Sequence, residues 1–165
     1  MTSIALGQHD SLTSSAAGRL ARAILSTDRS FSLTVLRITL GLVMLPHGLQ
    51  KTVGLFGGYG FSGTMSYFIS TGIPAVFAFL AIAAESAGAL GLLTGTTTRI
   101  AAFGVGIEMV VASTMHLQNG FFMNWFGNQK GEGIEYHIFA ITIAAILVVR
   151  GGGRFSLDRL FTRTR

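Results

Sequence analysis

Cysteine is absent from all 165 residues, which excludes disulfide frameworks, thiolate metal sites, CxxC redox centres and covalent haem attachment. Any redox chemistry must therefore use a borrowed cofactor. Charge is scarce too: Asp, Glu, Lys and Arg make up 12% of the chain, against 50% hydrophobic residues and a mean hydropathy of +0.58. Soluble domains carry about twice that share of charge, so the composition reads as a membrane protein. Inverted repeats are missing, which argues against a repeat-built transporter. Residues 1–30 lack the apolar core and small-residue cleavage site of a signal peptide. They read as a cytoplasmic tail, with a weakly amphipathic run from Ala17 to Leu25 lying partly on lipid headgroups.

What is present is apolar length. Four stretches, Phe31 to Gln50, Pro74 to Leu93, Thr97 to Leu117 and Ile134 to Val149, each approach the roughly 20 residues that cross about 30 Å of hydrocarbon. The expected fold is all-α: an integral membrane four-helix bundle over residues 31–150, with a basic cytoplasmic tail at 151–165. The net charge of +5 does not point to nucleic acid, because the basic residues sit at segment ends without interleaved aromatics. Outside the spans, nine arginines fall at the termini and at the turn around Arg99, whereas Lys51 and Lys130 fall on the other side. Positive charge marks the inner face, so both termini are expected to be cytoplasmic.

The first outer connection, GLFGGYGFSGTMSYFISTG, is too rich in glycine for a span and too aromatic for a solvated loop. An interfacial or re-entrant half-helix around Ser62 to Ser70, ended by Gly72 and Pro74, is expected there. The second, QNGFFMNWFGNQKGEG, invites the same reading, and the two together suggest a lid or apolar vestibule. In the tail GGGRFSLDRLF, three glycines end the fourth helix and Ser156 is placed to cap a short helix from Leu157, with Asp158 in its first turn.

Ionisable groups inside spans are expensive, at about 2.5–3.5 kcal/mol on insertion scales, and face partners or cavities. Arg37 in the first span and Glu85 in the antiparallel second are expected to pair, as a helix tie or a proton-handling pair. Stripes of small residues around Glu85 and Glu108 signal close packing. Glu108 itself has three open readings: sharing the Arg37 site, being protonated, or touching a partner subunit. At the outer end, LPHGLQK puts His47 and Lys51 on one face, beside a backbone loosened by Pro46. His116 ends the third span at that level and Glu135 begins the fourth. His137, two residues beyond Glu135, points away on a regular helix. Neutral imidazoles with a carboxylate also suit zinc or iron, so His47, His116 and Glu135 form an alternative metal or haem set.

The segments RITLGLVMLPHGLQK, AAESAGALGLLTGTTTR, HLQNG, GIEY and GGGRFSLD resemble, in order and spacing, the DoxX family of small four-helix bacterial and archaeal membrane proteins. The similarity spans about Leu36 to Asp158. It implies a multi-pass inner-membrane protein, in some members a subunit of a thiosulfate:quinone oxidoreductase and in others part of membrane redox complexes. Matched by position, the resemblance points to Arg37, His47, Gly48, Lys51, Glu85, Arg99, His116 and Glu135. Glu108 and His137 fall where the family is usually apolar and inherit nothing. Gly152 replaces the family's common proline, an exchange expected to loosen the turn.

The polar cluster is read from the residues, and the quinone comes from the resemblance. Together they suggest a membrane subunit of a redox complex, with His47, Lys51, His116 and Glu135 as the candidate catalytic set. In that set His116 or His47 donates to a quinone oxygen and Glu135 relays the proton. The expected partners are the bilayer, other membrane or redox subunits and a lipophilic small molecule. The alternative is an accessory subunit packing against a larger complex without chemistry of its own.

Overall fold

A computed structural model describes residues 15–163; residues 1–14 of the expected N-terminal tail and residues 164–165 of the basic tail lie outside it. Among the described residues the chain is helical with no strand. The elements are α1 (Ala16–Leu25), α2 (Phe31–Thr52), α3 (Gly60–Ser70), α4 (Ala75–Thr94), α5 (Thr98–His116), α6 (Glu135–Arg150) and α7 (Leu157–Arg163). Helices α2, α4, α5 and α6 form the bundle, each bounded within two residues of its apolar stretch. Among the described residues three helices, Phe31–Thr52, Ala75–Thr94 and Thr98–Asn119, are long and apolar enough to cross a membrane. The 16 residues of α6 rise about 24 Å.

The interior is made of small residues and a few long ones. Met44, Ala78, Ala89, Leu92, Ala102, Val105 and Leu147 are fully enclosed, while Leu42, Phe79, Phe103 and Phe139 stand outward. Such a continuous bare apolar surface suits hydrocarbon and not water. Close approach between helices is set by glycine. On α2, a Cβ at Gly48 would lie 2.6 Å from the Glu85 carbonyl oxygen, so the α2 and α4 backbones touch there. The Gly48 carbonyl also accepts from Ser86 Oγ at 3.3 Å and Thr52 Oγ1 at 2.7 Å. Pro46 is carried within α2, which stays helical past it.

At one end of the bundle, the tail end, lie the termini and the α4–α5 turn. At the other, the loop end, lie the connections 53–74 and 117–134. The first of these forms the expected short helix, α3, closed by Gly72 and Pro74. The second differs from expectation: after a 3-10 turn at Leu117–Asn119 it has no helix before Glu135. Instead, Ile134 and Glu135 donate backbone N–H groups to Gly120 and Phe121 carbonyls at 3.2 and 2.9 Å. These bonds close the loop on itself and leave Trp125 and Phe126 exposed.

Candidate functional site at the loop end

The Gly48 contact decides where α2 meets α4. One turn beyond it, Lys51 reaches back along α2, as helical side chains do, and pairs with Glu85. The Lys51 side chain is 23% exposed and that of Glu85 only 4%. The Glu85 carboxyl is within hydrogen-bonding reach of Glu108 on α5, which also lies in the field of Lys51. Glu108 Oε2 is enclosed and meets no hydrogen-bond donor. From α6, Tyr136 donates its hydroxyl to Met44 Sδ at 3.4 Å and lies within electrostatic reach of both carboxyls. Each bundle helix thus supplies one titratable side chain to a single cluster.

The expected quartet divides. Lys51 joins the cluster, whereas His47 is exposed. His116 turns to the second loop, its Nδ1 at 3.0 Å from the Glu132 carbonyl. A carbonyl only accepts, so Nδ1 carries the hydrogen and Nε2 is the open nitrogen. The same carbonyl accepts from Asn119 Nδ2 at 3.0 Å. Glu135 accepts the Met123 N–H at 3.2 Å, and Glu132 accepts that of Asn124 at 2.8 Å. Both carboxylates therefore hold the loop. Among the described residues no three His, Asp or Glu side chains gather as metal ligands, so His47, His116 and Glu135 do not form the alternative metal set.

The structure brings forward two residues that sequence reasoning set aside. Glu108 completes the ionic cluster, and His137 is buried with its ring centroid 4.9 Å from that of His116. The resemblance gives neither a role; Glu108 carries three open readings, and His137 is expected to point away from Glu135 on a regular helix. The cost of a carboxyl at mid-span was the signal available for Glu108; for His137, one residue past Tyr136, there was none.

The expected Arg37–Glu85 pair is not formed. Arg37, 1% exposed, lies at the tail end and donates Nη1 to the Leu92 and Leu93 carbonyls, Nε to Gly152 at 3.0 Å and Nη2 to Phe155 at 2.8 Å. Leu92 and Leu93 are among the last four carbonyls of α4, which have no partner inside the helix and attract a cation. Glu85 is ten positions back from Gly95, about 15 Å of helix rise. The Gly152 turn is closely packed, since a Cβ there would meet Thr98 Oγ1 at 2.5 Å. Ser156 Oγ donates to the Gly153 carbonyl at 3.1 Å. Asp158 caps α5 rather than serving its own helix alone, accepting from Thr97 and Thr98 N–H at 2.6 and 2.8 Å. Arg99 adds bonds to the Ser26 and Val148 carbonyls, both at 2.9 Å.

An all-helical bundle with a lipid-facing apolar surface and a buried ionic cluster defines a small polytopic membrane protein. The chain belongs to the DoxX family, whose model matches residues 32–118. It is also similar to the inner membrane protein YqjF of Escherichia coli (strain K12), 27% identical over 135 residues that cover 78% of this chain and 91% of that protein. No solved structure matches. The family match covers Arg37, Lys51, Glu85 and Glu108 and ends before α6.

Proposed function

We propose that this chain is the membrane subunit of a quinone-linked oxidoreductase of the cytoplasmic (inner) membrane, with its loop end outward and its arginine-rich tail end in the cytoplasm. The carrying observation is the meeting of Lys51, Glu85, Glu108 and Tyr136 at one place, a titratable group from each bundle helix. A quinone site needs an apolar approach, a donor to the ring oxygen and a group that exchanges protons. His47 and Lys51 share one face of α2, the first exposed and the second partly so. They form a lipid-facing edge where a quinone oxygen meets an N–H donor, with Glu85 and Glu108 behind it.

Reducing the quinone to a quinol consumes electrons and protons in equal number. A partner redox subunit supplies the electrons, and the carboxyl cluster passes the protons. Glu135 is engaged with the Met123 N–H, so the relay falls to Glu85 and Glu108. The nine-to-two division of basic residues supports the orientation.

The test is to purify the protein in native-lipid particles, quantify extracted quinone by mass spectrometry, and titrate depleted protein with a short-chain quinone. Wild type is expected to retain stoichiometric quinone, and Lys51→Met and His47→Ala to weaken binding about tenfold, or 1.4 kcal/mol. Wild-type particles that neither retain nor rebind quinone overturn the reading. So does binding indifferent to both substitutions.

An accessory packing role is the second reading, favoured by a lipid-facing groove of about 280 Å³ between α5 and α6. Ala102, Gly106, Ala144 and Ala145 line it, small residues that suit a partner transmembrane helix. Gly106→Leu would then release a co-purifying membrane subunit and leave quinone content unchanged.

A further inference from the structure

We infer that Lys51, Glu85 and Glu108 form a proton-exchange site, storing one proton between the two carboxyls and opening to the loop-end surface through Lys51. The inference shares its residues with the quinone reading and rests on that reading only for the use made of the proton.

The argument is a charge count. The groups facing the site are Lys51 from α2, Glu85 from α4, Glu108 from α5 and Tyr136 from α6. The buried Arg37 is spent on carbonyls at the tail end. One ammonium balances one carboxylate. A second carboxylate in contact with the first would face a like charge in surroundings where an unbalanced charge is costly. Holding a proton between the carboxyls makes the cluster neutral. It also supplies the hydrogen-bond donor that the enclosed Glu108 Oε2 lacks.

Glu108 and Glu85 then act as a unit, with macroscopic behaviour that belongs to the pair. Exchange requires contact with water. Glu85 is sealed at 4% exposure, while Lys51 reaches the surface at 23%, so the Lys51 side chain is where the cluster meets water.

The experiment is infrared spectroscopy of protein labelled with carboxyl-13C glutamate, in quinone-free liposomes at neutral pH. Wild type is expected to show a protonated-carboxyl C=O band that moves with the label and is lost in alkaline buffer. Glu108→Gln, nearly isosteric, is expected to lose it. Lys51→Met removes the balancing charge, so neutrality then calls for a proton on each carboxyl and the band grows about twofold. The absence of a label-sensitive band from wild type overturns the inference, as does its persistence unchanged in Glu108→Gln. The wild-type spectrum decides the first point without any variant having to fold. Quinone binding can fail while the band is present, and the band can be missing while quinone binds, so each proposal fails separately.

Discussion

Arg37 shows how backbone carbonyls can take every hydrogen bond of a buried guanidinium. Its guanidinium donates to four carbonyls from α4 and the C-terminal segment, a match to its fork of donors that an ammonium cannot reproduce. Arg37→Met is expected to destabilise the bundle by about 3–5 kcal/mol, because buried acceptors lose a charged donor. Arg37→Lys should recover only part of that loss. Thermal unfolding in one detergent, followed for both variants, checks this ranking. The Asp158 carboxylate offsets the Arg37 charge and caps α5. Removing a cap costs about 0.5–2 kcal/mol, so Asp158→Ala should lower the unfolding midpoint, and Asp158→Asn, which keeps an acceptor, should lower it less.

Among the elements, the α2–α4 contact governs the site. Gly48 lets the two backbones touch, and that register brings Lys51 onto Glu85. A Cβ there would lie 2.6 Å from the Glu85 carbonyl and 2.8 Å from Ser86 Cα, both backbone atoms, so even Gly48→Ala must push the helices apart. We expect it to weaken quinone binding as Lys51→Met does, although it touches no ionisable group. A Gly48→Ala protein that binds like wild type would detach the site from this packing. The α4–α5 turn carries a different constraint. Thr97, φ 48°, adopts the left-handed region that favours glycine. Thr97→Gly should therefore stabilise or be neutral, whereas β-branched Val there should gain nothing.

At the scale of the whole molecule, the testable property is orientation. Because the natural chain has no cysteine, single cysteines can be introduced without a background. Asn124→Cys at the loop end should react with a membrane-impermeant maleimide in intact cells. Phe161→Cys at the tail end should react only after the membrane is opened. The reverse pattern would turn the protein over and place the Lys51 edge on the cytoplasmic side.

The helices and their extents were legible in the sequence, because a bilayer imposes length and hydropathy on each segment separately and no partner needs to be known. The stripe Ala78, Ala81, Gly88 and Ala89 likewise reads as packing: three of the four are buried and Ala81 is half-buried. The same local reading located α3. It misjudged the second connection, where aromatic and glycine content matched that of the first. There the outcome was decided by hydrogen bonds from Ile134 and Glu135 to residues about 14 positions earlier, a closure invisible to composition.

Ionic partners were the part that only the tertiary structure decided. Arg37 and Glu85 are opposite charges on neighbouring antiparallel helices, yet the guanidinium binds the Leu92 and Leu93 carbonyls, about 11 Å of helix rise from Glu85. Lys51, expected beside His47, His116 and Glu135 at the outer end, pairs instead with Glu85. Glu108 acquires its meaning only from that neighbour. Sequence by itself determined that this chain is a bundle of membrane helices carrying costly charges, because burial in lipid is a property of each segment. Which charges meet depends on helix register and rotation, properties of pairs of segments that the fold alone sets.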